Sequence, residues 1–263
     1  LDKFAKGEIK KLIITMPPQH GKSEGSSRRL PAYILGINPD KKIAVSSYNT
    51  TFASKFNRDI QRIIETPTYA NIFPDTSLNK KNVATINSWL KNSHEFEVIN
   101  QIGGLKSVGR GGALTGNPID VMIMDDLYKD YMEGNSPIIR ESVWDWYTSV
   151  VSTRLHNDSQ QLIVFTRWHE DDLIGRLEQL GKVKTITDIE EIHTTELKHD
   201  EWFKVNFEAI KESEPTPIDP REKGQPLWAS KHSLEKLISS KEMDIEKFKC
   251  LYQGDPQSAE GMM

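Results

Sequence analysis

The sequence is poor in cysteine and has no long apolar run. Cys250 is the single cysteine among 263 residues, which excludes an internal disulfide and a zinc site built from cysteines. We expect its thiol to be structural. No apolar stretch approaches the ~20 residues needed to span a bilayer, and the N-terminus carries no signal-peptide pattern. These absences predict a cytoplasmic protein.

The sequence also lacks an excess of positive charge. The chain carries 34 Lys and Arg against 38 Asp and Glu, a formal net charge of −4. This balance argues against a surface coated with a basic, nucleic-acid-binding field, so any contact with DNA must be local or transient. The length fits one large α/β domain with a small appended subdomain. Because the chain begins at Leu1 and ends on Glu-Gly-Met-Met, we expect a fragment of a longer protein.

A stretch near the N-terminus combines a strand pattern with a phosphate-binding signal. The apolar run 11–16 breaks at Pro17-Pro18 and continues through Gln19-His20 into Gly21-Lys22-Ser23. A strand, a turn and a helix start in this order aim backbone N–H groups at a phosphate. Lys22 would then reach the β- and γ-phosphates of ATP, and the Ser23 hydroxyl would bind Mg²⁺. The predicted nucleotide-binding residues are Pro18, Gln19, His20, Gly21, Lys22, Ser23 and Glu24.

The match to the pattern G-x-x-x-x-G-K-[ST] is incomplete, because Met16 occupies the first glycine position. The alternative explanation of Gly-Lys-Ser alone is a helix that starts at glycine and carries an ordinary surface lysine. His20 either flanks the triphosphate or packs beside the loop, and the sequence leaves both open.

Strand and helix patterns alternate along much of the chain. This alternation predicts a mostly parallel, wound sheet that binds ligands beyond the C-terminal ends of its strands. The clearest further strands cover 42–47, 121–124 and 161–165, and weaker strand-like segments lie at 82–86, 95–99 and 203–207. The predicted helices cover about 22–35 with a kink at Pro31, 50–65 after an Asn49 cap, 137–150 after a Ser136 cap, and 233–250.

Two acids, Asp125 and Asp126, directly follow the buried strand 121–124. Phosphoryl transfer to water needs a metal held against the phosphates and a group that positions the water. Asp125 would bind Mg²⁺, directly or through water, and Asp126 would orient the attacking water. Adjacent acids after an apolar strand also occur as simple solubilising charges, and this alternative stays open.

Arginines and a threonine are candidates for stabilising or sensing the phosphate charge. The first is Arg110, which lies in the glycine-dense stretch 103–116. This stretch is interpreted either as a mobile surface loop or as a loop that moves against nucleotide or a neighbouring subunit. Arg154 and Arg167 remain alternatives for the arginine finger. Thr166 and Arg167 would sense the γ-phosphate, or Arg167 would only brace the acidic turn that follows.

The run His169-Glu170-Asp171-Asp172 has the residue types of a metal site. Neighbouring residues on a helix point in different directions and rarely close one site. The preferred interpretation is the acidic first turn of the next helix, where negative charge is favourable.

With these residues in place, the chain resembles the ATPase domain of the large terminase subunit of tailed bacteriophages, the motor that pumps DNA into an empty capsid. The resemblance rests on Met-Pro-Pro-Gln-His-Gly-Lys-Ser-Glu at 16–24, Gly-Gly-Ala-Leu-Thr-Gly at 111–116, Met-Asp-Asp-Leu-Tyr-Lys-Asp at 124–130, Val-Trp-Asp-Trp-Tyr at 143–147, Thr-Arg-Trp-His-Glu-Asp-Asp-Leu at 166–173 and Tyr-Gln-Gly-Asp-Pro at 252–256. These runs are spread along nearly the whole chain, in the order found in the family.

The resemblance implies a RecA-like P-loop NTPase of the ASCE class, with a core at 1–180 and a lid subdomain at 181–263 that leads toward an absent nuclease domain. It also implies ATP and Mg²⁺ as cofactors, a metal-binding Asp125, a catalytic Asp126 and a coupling motif around Thr166. The implied partners are double-stranded DNA, the portal protein, the small terminase subunit and further copies in a ring, at the procapsid in the host cytoplasm. Many relatives carry Arg at the position of Gln19 and Glu at that of Asp126.

Two other functions remain open from the sequence. A phosphoryl transferase would use the same loop but would need an acceptor pocket, for which no motif stands out. A nucleotide-binding assembly switch would bind ATP yet tolerate loss of Asp126. Product identity, stimulation by DNA and dependence on Asp126 distinguish these functions from a DNA-translocating ATPase.

Overall fold

The computed structural model describes residues 1–79, 89–114, 116 and 118–256, and the predicted strand 82–86 lies outside them. Eight strands form one mostly parallel sheet, as predicted, in the order β3-β4-β2-β5-β6-β1-β8-β7. They are β1 (Lys11–Thr15), β2 (Lys42–Ser47), β3 (Glu95–Glu97), β4 (Gly104–Gly109), β5 (Ile119–Asp125), β6 (Leu155–Phe165), β7 (Val183–Thr185) and β8 (Trp202–Asn206).

Helices alternate with these strands along most of the chain, which makes it an α/β protein. They are α1 (Asp2–Ala5), α2 (Leu30–Ile37), α3 (Thr50–Ile64), α4 (Pro67–Ile72), α5 (Tyr131–Asn135), α6 (Pro137–Trp146), α7 (Leu173–Gln179), α8 (Glu191–Thr194), α9 (Leu234–Met243) and α10 (Ile245–Gln253). Among the described helices, none is long and apolar enough to cross a membrane.

The chain divides into two compact units. The first comprises Leu1–Lys10, Ser23–Leu127 and Ser142–Leu162, and the second comprises Lys11–Lys22, Tyr128–Glu141 and Ile163–Met263.

In the first unit, β2 is the central strand and pairs in parallel with β4 on one side and β5 on the other. Both β2 and β5 are almost entirely buried, as their continuous apolar runs predict. Helix α3 also follows its sequence pattern. The Asn49 side chain accepts a hydrogen bond from the backbone N–H of Phe52 at 2.7 Å, and Phe56, Ile60 and Ile64 are buried.

The interpretation of 103–116 as a loop is wrong for its first half, because Gly104–Gly109 is strand β4. Glycine is needed here because neighbouring backbone comes too close for a side chain. An added Cβ would lie 2.2 Å from the Pro39 carbonyl oxygen at Gly103 and 2.3 Å from the Phe96 carbonyl oxygen at Gly104. Gly103 and Gly104 therefore reflect close approach of neighbouring backbone, whereas an added Cβ at Gly111 would meet nothing within 4 Å.

Two predicted helices differ in detail from the structure. The helix expected at 22–35 contains a π-helical segment, Glu24–Arg29, and continues as α2 to Ile37, beyond Gly36. Pro31 lies in the first turn of α2, immediately after the wide π turn, where its missing N–H is least disruptive. The helix expected at 233–250 is two helices, because Asp244 adopts an extended conformation and caps α10 by accepting from the backbone N–H of Lys247.

In the second unit, β1 pairs in parallel with β8, and β8 with β7. The sequence predicted one strand candidate between 181 and 220, at 203–207, and missed β7. The Thr15 hydroxyl at the end of β1 donates to Asn206 Oδ1 at 2.6 Å, and Asn206 Nδ2 donates to the Gln253 carbonyl at 2.9 Å. These bonds connect the strand before the phosphate-binding segment to the end of α10.

The packing of β4 makes a stability prediction. Gly104→Ala should lower the free energy of unfolding by about 1–3 kcal/mol, because the new methyl group meets the Phe96 carbonyl. Urea unfolding measures this change. Lys106→Ala, on the same strand, is the control and should change stability by about 0.5 kcal/mol or less. Equal stability of Gly104→Ala and wild type would contradict this account of the glycines.

Candidate functional site

The predicted phosphate-binding loop, in the second unit, has a sharply turned backbone. Gln19 and Gly21 both have positive φ, 62° and 87°, and the helical backbone begins at Lys22. Left-handed residues in such a turn direct successive N–H groups toward one point, which creates an anion-binding concavity. Gly21 satisfies this conformation without strain, whereas Gln19 does so at a cost of the order of 1 kcal/mol.

His20 packs beside this loop. Its Nδ1–H donates to the Pro18 carbonyl at 2.8 Å, and its ring stacks on His232 with centroids 4.3 Å apart. The side chain is 7% exposed. Burial lowers the pKa of His20, the Pro18 hydrogen bond opposes that shift, and His232, Lys231 and Arg221 lower it further. The sequence left open whether His20 flanks the triphosphate or packs beside the loop. The structure favours packing, with a neutral imidazole.

Three residues at the loop were missed by the sequence reasoning. Lys231 Nζ donates to the Gln19 carbonyl oxygen at 2.8 Å, and His232 Nε2 lies 3.3 Å from the same oxygen. An added Cβ on Gly21 would lie 3.8 Å from the ring of Trp228. No local pattern marks these residues, because they follow the loop by about two hundred positions and their segment has no strand or helix periodicity.

Thr166 and Arg167, at the end of β6, have different environments. Thr166 Oγ1 donates to the Met16 carbonyl at 3.4 Å, beside the hydrogen bond from Met16 N–H to the Phe165 carbonyl at 3.2 Å. Thr166 therefore contacts the first residue of the loop. Arg167 is 2% exposed and bonds Asp172 at 2.8 Å and Glu178 at 3.2 Å. Burial by itself would lower the pKa of Arg167, but these carboxylates raise it. The geometry favours the alternative in which Arg167 braces the acidic turn that follows it.

The acids near His169 are also engaged by arginines. Asp171 pairs with Arg140 and Arg176, each at an N–O distance of 2.8–2.9 Å, and Asp172 caps α7. His169 Nδ1 accepts from the backbone N–H of Asp171 at 3.0 Å, and burial lowers its pKa. Within the described part of the chain, no group of three or more His, Cys, Asp or Glu side chains could hold a metal ion. The prediction of an acidic first turn is therefore wrong in detail, because α7 begins at Leu173 with no acid in its first turn and only Asp172 lies at its N-cap.

In the first unit, Asp125 is a buried carboxylate at the end of β5. It is 1% exposed, and its Oδ2 accepts from the Ser27 hydroxyl at 2.5 Å. Ser23 precedes Ser27 by one helical turn, so both hydroxyls lie on the same side of the helix. Ser23 has a helical backbone and makes no side-chain capping bond. The helix face that begins at Ser23 thus packs on the strand that ends at Asp125.

Asp126 follows with a left-handed backbone, at a φ of 43°. The Asp126 carbonyl accepts hydrogen bonds from the Tyr48 N–H at 3.0 Å and from the Ser47 hydroxyl at 3.3 Å. Asp126 is half-buried. Arg110 is fixed beside this turn. Its Nη1 donates to the Leu127 carbonyl at 2.9 Å, and its backbone N–H donates to the Ser47 carbonyl at 2.8 Å. The predicted acids and Arg110 therefore meet at the ends of β2, β4 and β5.

The predicted residues thus gather in two groups. In the second unit, Gln19, His20 and Gly21 lie in one turn, and Thr166 contacts the start of that turn at Met16. In the first unit, Asp125, Asp126 and Arg110 lie at adjoining strand ends, and the helix that follows Ser23 contacts Asp125 through Ser27. Arg154 ends a 3₁₀ turn, Ser152–Arg154, in the first unit, and is half-buried.

The hydrogen bond between Ser27 and Asp125 makes a stability prediction. Ser27→Ala should lower the free energy of unfolding by about 1–3 kcal/mol, because a buried carboxylate loses a donor. Denaturant unfolding measures the loss. Ser54→Ala is a matched control, since that buried hydroxyl bonds only the Thr51 carbonyl of its own helix. An equal, small loss in both variants would contradict a special role for the Ser27 hydroxyl.

The environment of His20 makes a pH prediction. Because its folded pKa lies below the unfolded value of about 6.5, the unfolded chain binds a proton first as the pH falls. Its contribution to stability is therefore full above about pH 6.5 and is lost on acidification, at up to about 1.4 kcal/mol per pH unit for one proton. His20→Gln should flatten this pH dependence in urea titrations between pH 8 and 5. His199→Gln, at an exposed position, is the control, and an unchanged slope in His20→Gln would refute the prediction.

Comparisons with known proteins extend these observations. Residues 13–249 match the family model described as terminase large subunit, T4likevirus-type, N-terminal. No protein of curated function matches the sequence.

Two solved structures share the fold. The large terminase ATPase domain of Thermus phage P74-26 is 14% identical, with a TM-score of 0.56 over 95% of this chain and 89% of that one. An arginine-to-alanine mutant of the same domain is 15% identical, with a TM-score of 0.54 over 94% and 89%. At these identities the likeness shows the fold, which is RecA-like. The family match covers most of the chain, and the protein belongs to the terminase large subunit family through its N-terminal domain.

Proposed function

We propose that this chain is the ATPase domain of a viral DNA-packaging motor, which hydrolyses ATP with Mg²⁺ to translocate double-stranded DNA into a procapsid. The observation that carries the proposal is the turned loop after β1, with left-handed Gln19 and Gly21 and a helix that starts at Lys22. This is a geometry suited to phosphate, in a member of the terminase large subunit family.

In the proposed site, Pro18 to Glu24 bind the nucleotide phosphates. The backbone N–H groups of the turn and the helix N-terminus offset the negative charge of the phosphates. Lys22 contributes its ammonium group to the β- and γ-phosphates. His20 stays neutral and packs under the loop, so its contribution is to shape and not to charge.

Mg²⁺ suits the donors that we assign to it. The Ser23 hydroxyl and the Asp125 carboxylate are oxygen ligands, which Mg²⁺ prefers, and it usually keeps several waters in such sites. When bound, it neutralises charge that develops on the phosphate oxygens. Asp125 is buried and hydrogen-bonded by Ser27, which holds its carboxylate in one orientation.

Asp126 is the proposed acid that orients the attacking water. It has a left-handed backbone and is the more accessible of the two acids. Arg110 is our first candidate for stabilising transition-state charge, because it is fixed beside the acidic turn through the Leu127 carbonyl. Thr166 would relay the nucleotide state through its contact with Met16. Catalytic roles of Arg167 and Arg154 are less well supported, since Arg167 is paired with carboxylates.

Membership of the family also supports a proposal about the wider assembly. The proposed partners are double-stranded DNA, the portal protein, the small terminase subunit and further copies of this chain in a ring, in the host cytoplasm. The net charge of −4 fits a motor that grips few backbone phosphates at a time. A lid subdomain at 181–263, after a core at 1–180, remains a prediction.

The central experiment is ATP hydrolysis by wild type and Asp126→Asn. The variant should lose about 10²–10⁴-fold in rate, the typical contribution of a general base, and should bind ATP as wild type does. Phosphate release with and without Mg²⁺, and nucleotide binding by calorimetry, measure the two properties. Asp158→Asn is the matched control, because that acid is highly exposed in the same unit.

The same assay separates the alternatives. Equal hydrolysis by Asp126→Asn and wild type would remove Asp126 from catalysis. Binding without hydrolysis by wild type, with or without double-stranded DNA, would indicate an assembly switch, and phosphate transfer to a small acceptor would indicate a transferase. A hydrolysis rate per protein molecule that rises with protein concentration would support an arginine supplied by a neighbouring subunit. A lower rate in Arg110→Ala would support Arg110 as that arginine.

A further inference from the structure

The turn Trp228–His232 contacts the phosphate loop within the second unit. Lys231 Nζ donates to the Gln19 carbonyl at 2.8 Å, and His232 Nε2 lies 3.3 Å from that oxygen. The His232 ring stacks on His20 at 4.3 Å and an interplanar angle of 21°. Two donors and one ring from this turn therefore converge on two consecutive residues of the loop.

The turn Trp228–His232 is itself anchored on both sides. The Trp228 carbonyl accepts from the N–H groups of Lys231 and His232, at 3.1 and 2.8 Å. Before the turn, the Leu227 N–H donates to the Ala209 carbonyl at 2.8 Å. After it, Ser233 caps α9, whose Leu237 is buried against Ala209, Ile210 and Phe248. The contacts with the loop are thus made from a fixed support.

The contacted carbonyl belongs to the peptide unit that orients the loop. In a trans peptide, the C=O of Gln19 and the N–H of His20 point in opposite directions. Donors that hold the carbonyl on one side therefore direct the N–H to the other. Gln19 also has a φ of 62°, which a residue other than glycine adopts only at a cost in free energy. A charge-assisted hydrogen bond from Lys231 offsets that cost.

We propose that Lys231 and His232 are positioning residues of the phosphate loop, which hold the Gln19 peptide so that the following backbone N–H groups face a nucleotide phosphate. The inference rests on the proposed function, because it assumes that this loop binds nucleotide. Lys231 acts through Gln19 and also lies over the ring of Trp228, 4.7 Å from its centroid.

The test uses Lys231→Met, which keeps the apolar stem beside Trp228 and removes the ammonium group. Lys231→Met should weaken binding of both ATP and ADP by about tenfold or more, as expected for a lost charge-assisted hydrogen bond. Lys231→Arg should bind within about threefold of wild type, because the donor is restored. Lys223→Met is the control, since Lys223 is an exposed lysine paired with Glu214 in the same unit. Calorimetric titration measures the affinities.

A second readout separates positioning from general stability. Lys231→Met should raise the KM for ATP by a similar factor and leave kcat within about threefold of wild type. Its free energy of unfolding in urea should lie within about 1 kcal/mol of that of Lys223→Met, because only one hydrogen bond to the loop is lost. His232→Asn gives an independent variant, and it should also weaken nucleotide binding.

Each outcome bears on a different claim. If wild type binds nucleotide and both Lys231→Met and His232→Asn bind equally well, the inference is wrong and the proposed function stands. If Lys231→Arg fails to restore the affinity lost in Lys231→Met, positioning through the donor is also wrong. If wild type itself binds neither ATP nor ADP, the proposed function fails, and the inference fails with it.

Discussion

A left-handed backbone at Gln19 is the constraint on which the phosphate loop depends. The chain must leave strand β1 and enter a helix within a few residues, and a non-glycine residue with a φ of 62° makes part of that turn. Such a conformation persists only where the surroundings hold it in place. The support here comes from Lys231, 212 residues downstream, and from the stacked pair His20–His232. The shape of the loop is therefore a tertiary property and not a local one.

A left-handed residue also separates the two adjacent acids after β5. Two carboxylates in sequence would repel each other if they shared one environment. The φ of 43° at Asp126 gives them different surroundings, with Asp125 buried against the Ser27 hydroxyl and Asp126 half-buried. Hydrogen bonds from Tyr48 and Ser47 to the Asp126 carbonyl hold the turn. Two acids with different chemical roles would need such different surroundings.

The sequence predicted elements whose signal is local and missed those whose cause is distant. Apolar runs located β1, β2 and β5, and the Asn49 cap located the start of α3. Gly103 and Gly104 suggested a loop. Glycine is needed there because the backbone of Pro39 and of Phe96 comes too close for a side chain, which no local pattern shows. At the candidate site, the sequence singled out the loop, the two acids and Thr166, whose functional roles stay predictions. It missed Trp228, Lys231 and His232, whose contacts exist only after folding.

The partners of a cation help to distinguish a structural role from a functional one. Arg167 is buried and bonds two carboxylates, which compensate its charge and fix the start of α7. Removal of such an arginine would take the guanidinium partner from buried Asp172 and leave Glu178 with its ion pair to Lys204, a cost to folding and not to chemistry. Lys231 instead donates to a neutral carbonyl and lies over a neutral ring. Its positive charge therefore adds to the potential at a loop whose backbone geometry already favours an anion.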